Sequence, residues 1–271
     1  MKIFKSKNKL QKAITNIKNI SFVPTMGDLH DGHTSLIKKS KKFKGKSLVS
    51  IFINPKQFNK KKDFLTYPRN LTKDLRILKR LKVDFVYLPN IKDIFSFKPN
   101  NKVFLSKFSK KLCGANRPGH FEGVLNVVNR FLEIIKPKYL FLGIKDFQQL
   151  QLINSHILKK KINTRIISCK TIRRVDGVAY SSRNQNLSIK QLAIAANVFR
   201  YIKKTKKILK KNLKNFNLTK FKNDLIVLGV SKIDYIKLYN LQTLKKPKNR
   251  KENFNIFIAY YLNNVRLIDN F

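Results

Sequence analysis

Between residues 20 and 168, short runs rich in β-branched and aromatic residues alternate with longer runs whose apolar positions recur at helical spacing. No other feature narrows the fold of this chain so far. Ile20–Val23, Leu48–Ile53, Val83–Leu88, Tyr139–Leu142 and Arg165–Ser168 read as strands. His33–Phe43, Leu71–Leu81, Phe121–Ile135 and Phe147–Lys160 read as helices, the third placing Val124, Val127, Val128, Phe131, Ile134 and Ile135 on one face. Strands separated by helices of this length form βαβ units and therefore a parallel sheet. Short, right-handed crossovers then favour an α/β fold with a Rossmann-like, doubly wound sheet. The pattern changes after Asn184. Ser188–Leu213 reads as a long helix with Ser188 as its N-cap, and Lys232–Leu238, Phe254–Tyr261 and Val265–Ile268 read as strands around a charged turn at Lys245–Glu252. The expectation is a first domain over residues 1–175 and a smaller C-terminal α+β domain over 176–271.

Composition excludes several classes of function. At 42% hydrophobic residues the chain can bury a sizeable core, so disorder throughout is excluded. Two cysteines, Cys113 and Cys169, cannot make a disulfide scaffold, and they lack a CxxC or Cys–His context. They read as core or semi-buried thiols in a reducing compartment. The net charge of +46, from 60 Lys and Arg against 14 Asp and Glu, invites a nucleic-acid reading. The lysines, however, are spread over nearly every segment rather than gathered in one stripe. Abundant Lys, Asn, Ile and Phe are what an AT-rich genome writes at solvated and core positions, so only weak, non-specific, salt-sensitive binding to nucleic acid is expected. The basic N-terminus lacks the apolar core of an export signal, and no apolar run reaches the roughly 18 residues of a membrane helix. A cytoplasmic protein without a membrane segment is the expectation.

Five segments carry candidate chemistry. In the first, Pro24-Thr25-Met26-Gly27-Asp28-Leu29-His30-Asp31-Gly32-His33, two histidines flank a glycine where a strand passes into a helix. Ligands bind at the carboxyl ends of parallel strands, and a helix N-terminus favours phosphate. In the second, Ser50 to Phe58 with Tyr67-Pro68-Arg69 after it, Gln57 follows a strand end; its neutral amide can meet a carboxylate and a hydroxyl without leaving a buried charge. The third, Arg117-Pro118-Gly119-His120-Phe121-Glu122-Gly123-Val124, is a punctuated loop entering a buried helix. The fourth, Leu142 to Leu150, sets Lys145 between a strand and a helix, within reach of a phosphate, and Gln149 one turn into that helix. The fifth, Asp176 to Asn184, places Ser181, Ser182 and Arg183 together in a loop suited to gripping a polyphosphate. His156, among polar residues in mid-helix, reads as a surface side chain.

Taken together, PTMGDLHDGH, VSIFINPKQF, YPR, RPGHFEGV, KDFQQL, DGVAYSSRN and the C-terminal RLIDN resemble the pantothenate synthetase (pantoate–β-alanine ligase) family over nearly the whole chain. The resemblance implies a nucleotidyltransferase-type Rossmann domain, a smaller lid domain, a cytoplasmic homodimer and a place in coenzyme A precursor synthesis. It implies ATP, pantoate and β-alanine as substrates, with Mg²⁺. Matched position by position, Met26, Gly27, Asp28, Leu29, His30, Asp31, Gly32 and His33 line ATP, with His33 the proton donor. Gly143, Ile144, Lys145 and Asp146 also lie along ATP, as do Tyr180, Ser181, Ser182 and Arg183, and the Ile172 backbone meets the adenine. Gln57 contacts pantoate and the incoming β-alanine, and Gln149 contacts pantoate.

The chain departs from the family's usual pattern in three places. Ile144 stands where Glu or Gln is usual, Tyr180 where Leu or Met is usual, and Asn59-Lys60-Lys61-Lys62-Asp63 replaces an often acidic loop. Asp74 is the carboxylate taken as a candidate Mg²⁺ ligand. The chemistry implied is adenylation of pantoate followed by amide formation, which requires no protein nucleophile. Another HxGH adenylyl- or cytidylyltransferase is the competing reading; Gln57, Gln149 and the RPGHF segment weigh against it.

Overall fold

The computed structural model describes residues 1–59, 61–100 and 102–271; Lys60, in the loop singled out above, lies outside them. The chain divides into two compact units, Met1–Thr171 and Ile172–Phe271.

In the first unit, six strands form one sheet: β1 Lys2–Phe4, β2 Ile20–Thr25, β3 Lys46–Ile51, β4 Phe85–Tyr87, β5 Tyr139–Gly143 and β6 Arg165–Cys169. Their order is β1-β4-β3-β2-β5-β6, and every pairing is parallel. Helices cover both faces, so successive strand residues feed opposite cores. Phe22, Leu48 and Leu140 face the layer built on helices Lys7–Ile14, His120–Ile135 and Phe147–Lys159. Their neighbours Val23, Val49 and Phe141 face the layer built on helices Asp31–Ser40 and Leu71–Arg80. From β2 the chain winds one way through β3 to β4, then returns to build β5 and β6 on the other side. The order therefore reverses between β2 and β5, and the connections leaving those two strands part there. That switch point is where an open α/β sheet leaves a crevice for ligand.

β1 lies outside the elements that periodicity predicts. Three residues are too few to show a period, and the strand exists because Lys2, Ile3 and Phe4 pair with Phe85, Val86 and Tyr87 far along the chain. His156 corrects the sequence reading. It is 0% exposed, because helical spacing sets it beside Leu152, Ile153 and Ile157 on the face turned to helix His120–Ile135. Its Nδ1 accepts the Phe104 N–H at 3.1 Å, which leaves the proton on Nε2 for Asn129 Oδ1 at 2.9 Å. Both cysteines are buried thiols outside any disulfide.

In the second unit, helix Ile189–Lys211 begins at Ser188, whose side chain and that of Gln191 cap each other's backbone N–H groups. Helix Leu218–Val227, unread in the sequence, follows, and β7 Lys232–Asn240, β8 Phe254–Leu262 and β9 Val265–Asn270 form an antiparallel sheet. Residues 172–175 fold with this unit. Arg173 bridges Ala179 through its backbone and grips Asp269 through both guanidinium nitrogens at 2.6 and 2.9 Å, and Tyr180 N–H donates to Ile172 O at 3.1 Å. No helix among the described residues is long and apolar enough to cross a membrane.

Candidate active site

The loop leaving β2 is held in an unusual shape by named contacts. Thr25 Oγ1 donates to Ser50 O at 2.7 Å and accepts the Gly27 N–H at 3.2 Å. Gly27 and Asp28 both take left-handed backbone angles, φ +81° and +50°, the second uncommon for a residue with a side chain. Asp74, 1% exposed in the first turn of helix Leu71–Arg80, fixes this turn. One of its carboxylate oxygens accepts Asp28 N–H at 2.8 Å and the other accepts Leu29 N–H at 2.7 Å. A Cβ on Gly27 would lie 2.9 Å from the first of these oxygens, so a side chain there would displace the carboxylate. Burial raises the Asp74 pKa against the opposing pull of the two amides. Each oxygen of Asp74, the candidate Mg²⁺ ligand, thus accepts one N–H from the loop's own backbone. Among the described residues, no group of three or more His, Cys, Asp or Glu is placed to hold a metal ion.

The pinned loop delivers both histidines to the start of helix Asp31–Ser40. His30 is the N-cap, its Nδ1 accepting Gly32 N–H at 3.1 Å, while His33 Nδ1 accepts His30 N–H at 3.4 Å. The rings stack with centroids 4.0 Å apart and planes 32° from parallel. Since each Nδ1 accepts from backbone, each neutral ring must carry its proton on Nε2. Burial, then the Lys145 charge, lowers the His30 pKa to about 4. Burial, His30 and Lys145 in turn hold His33 well below the ordinary histidine value. At neutral pH the pair is therefore two uncharged N–H donors, and the positive charge comes from Lys145. An arriving polyanion would raise both values.

Lys145 sits in the single turn Ile144–Asp146 that follows β5, on the other side of the switch point from β2. Its neighbour Ile144 packs against the hydrophobic core, which accounts for an apolar residue at that departure from the family pattern. The two glutamines that follow have opposite fates. Gln148 is buried, donating to Phe108 O and Lys111 O and accepting from Cys113 N–H at 2.8, 2.6 and 3.0 Å. Gln149 is half-buried, and its side chain makes no hydrogen bond among the described residues.

Gln57 ends the turn Pro55–Gln57 beyond β3, and its amide lies against the Met26 sulfur, so the second segment meets the first. Asn54 Nδ2 donates to Gln57 Oε1 at 3.4 Å and to Gly123 O at 3.0 Å. The Gln57 carbonyl accepts from Arg117 Nη2 at 3.2 Å and His120 Nδ1 at 2.8 Å. Asn54, Arg117 and His120 had no assigned role in the sequence; the RPGHF segment was the only signal that marked the last two. Beside Met26, a cavity of about 710 Å³ opens at the carboxyl ends of β2, β3 and β4, with Ile51, Ile53 and Leu88 in its walls. The structure thus gathers Met26–His33, Gln57, Asp74 and Lys145 around the sheet's switch point. Ile172 and Tyr180–Arg183 belong to the second unit, where Ser181 Oγ accepts Arg183 N–H at 3.3 Å and Ser182 is buried.

Comparison with known proteins bears directly on this arrangement. The family model described as Pantoate-beta-alanine ligase matches residues 2–271. The chain belongs to the pantoate-beta-alanine ligase family. A pantothenate synthetase of Clostridium botulinum is 38% identical over 258 residues, which is 93% of this chain and 91% of the relative. Among solved structures of the family, the pantoate-beta-alanine ligase of Francisella tularensis, complexed with beta-gamma ATP and beta-alanine, is 39% identical with a TM-score of 0.83. It is covered over 97% of its length by all of this chain. Pantothenate synthetase from Thermus thermophilus superposes with a TM-score of 0.91 at 27% identity, over 100% of this chain and 99% of that one. The parallel sheet with its small antiparallel companion is thus the architecture of this ligase family.

Proposed function

We propose that the chain condenses (R)-pantoate with β-alanine, using ATP, to give (R)-pantothenate, AMP and diphosphate. A pantoate carboxylate oxygen attacks the α-phosphorus and diphosphate leaves. The β-alanine amine then attacks the acyl carbon of the bound pantoyl adenylate, loses a proton, and AMP departs. The observation that carries the reading is the pair of neutral imidazoles, each with Nε2 protonated, beside Lys145 at the β2/β5 switch point. Uncharged donors next to one fixed cation suit a transferring phosphoryl group, whose charge grows on its oxygens in the transition state. Gln57 and Gln149 hold pantoate and, at Gln57, the incoming amine. Ile172 and Tyr180–Arg183 are assigned to the nucleotide on the match of their motif alone.

Mg²⁺ enters as the metal–ATP complex, with phosphate oxygens and water as its main ligands, since Asp74 is committed to backbone amides. A cytoplasmic homodimer with non-specific affinity for nucleic acid completes the proposal. Purified protein given ATP, Mg²⁺, pantoate and β-alanine is expected to form AMP and the amide in equal amounts. Formation of ADP, or AMP without amide, would refute the assignment.

A further inference from the structure

We infer that His120 and Arg117 are positioning residues for the pantoate site, holding Gln57 through its backbone carbonyl rather than touching substrate. The inference rests on the function proposed above and deepens it. Gln57 closes a single turn at the end of a strand, a place where a carbonyl lacks a partner in its own element. Two side chains from 60 or more positions away in the chain supply that partner: His120 Nδ1 at 2.8 Å and Arg117 Nη2 at 3.2 Å. The carbonyl requires His120 to carry its proton on Nδ1. Its Nε2 then accepts from Arg117 Nη1 at 3.0 Å. Both ring nitrogens are committed, so the imidazole has no proton to give a substrate and no lone pair to take one.

Two further contacts tie the start of the same helix to the turn that Gln57 ends. Gly123, one turn along the helix that His120 begins, lies where a Cβ would be 2.3 Å from Lys56 O, so this close approach is open to glycine alone. Asn54 ties Gly123 O to Gln57 Oε1 through its side-chain amide. The Arg117–Gly123 segment is thus a cradle shaped around residues 54–57. Fixing that carbonyl sets the direction in which the Gln57 side chain leaves the backbone. A general stability role would not select this target, whereas a positioning role makes the effect of His120 depend on Gln57.

The test is a double-mutant cycle with His120→Leu, Gln57→Ala and the pair, read as pantoate KM in pantoate-dependent ATP–pyrophosphate exchange. His120→Leu should raise pantoate KM roughly tenfold, the size of one lost neutral hydrogen bond, with ATP KM unchanged. In the Gln57→Ala background the same substitution should change pantoate KM by less than about twofold. His120→Asn, whose Nδ2 takes the place of Nδ1, should recover most of the loss even where the Leu variant folds poorly. Hydrogen exchange at the amides of residues 56–58 should quicken in His120→Leu whether or not the protein turns over. An equal factor in both backgrounds, or unchanged exchange at residues 56–58, would overturn the inference. Absence of exchange activity in the wild type would sink the function instead, and the hydrogen-exchange result would still decide the positioning role.

Discussion

Gly123→Ala sets local helix preference against a measured close approach. Gly123 lies in the first turns of helix His120–Ile135, where alanine should stabilise an exposed helix by about 1 kcal/mol. The new Cβ, however, would sit 2.3 Å from Lys56 O, 2.7 Å from Lys56 C and 3.0 Å from Gln57 Cα. All three are backbone atoms, and none can swing aside as a side chain can. Ordinary carbon–oxygen approach stops at ~3.3 Å, so helix and turn must part by about 1 Å. Overpacking of this kind costs about 1–3 kcal/mol, which exceeds the helix gain. A shift of about 1 Å at a substrate-positioning residue can remove about 10²-fold in rate. The expected outcome is a modest fall in unfolding temperature and a loss approaching 10²-fold in kcat/KM for pantoate, with ATP affinity retained. Pantoate-dependent exchange and a thermal melt on the same preparation measure both. Wild-type exchange with a raised melting temperature would show that helix preference governs the site and that the close approach does not hold Gln57.

Asp74→Ala leaves the Asp28 and Leu29 amides without their buried acceptor, at about 1–3 kcal/mol each. Adenylation should fall while the Mg²⁺ concentration for half-maximal rate stays put; a displaced Mg²⁺ optimum with an intact melt would restore the metal-ligand role. His33→Ala should slow pantoate-dependent exchange by ~10²-fold or more, the range for a lost transition-state donor, and Lys145→Ala should do likewise. A defect in Lys145→Ala confined to β-alanine affinity would contradict its place at the phosphates. His30 and His33 titrate in the folded state below their unfolded value of 6.5, His30 at about 4, so the unfolded chain binds more protons through that interval. Stability should therefore fall as pH drops from above 6.5 toward 4, and His30→Gln should flatten the fall in a denaturant-midpoint series. An unchanged slope would mean that the ring is not buried in its neutral form.

Periodicity made β2, β3, β5 and their helices readable because each is long enough to show its spacing and buries a continuous face. The HxGH segment was readable for a different reason: its residue types make chemical sense at a strand–helix junction. Features that depend on pairing across the chain stayed hidden. β1 is three residues whose one strand partner among the described residues is β4, and helix Leu218–Val227 presents a weakly patterned face. His156 looked solvated beside Asn154 and Ser155, whereas its ring meets Asn129 on helix His120–Ile135 and the Phe104 amide. Asp74 shows the same limit from the other side. The sequence offers Asp74 only as an available carboxylate, and only the fold shows the two amides, 45 and 46 positions away, that it accepts from. Gln148 and Gln149 are indistinguishable as letters, yet one is buried in three hydrogen bonds and the other is half-buried with its amide unengaged among the described residues.

The central claim is that this sheet crevice activates a carboxylate by joining it to the α-phosphate of ATP. Pantoate carrying oxygen-18 in its carboxylate tests that claim most directly. One labelled oxygen should appear in the phosphate of AMP for each amide formed, because the bridging oxygen of the adenylate leaves with AMP. Label recovered in diphosphate or inorganic phosphate, with none in AMP, would contradict it.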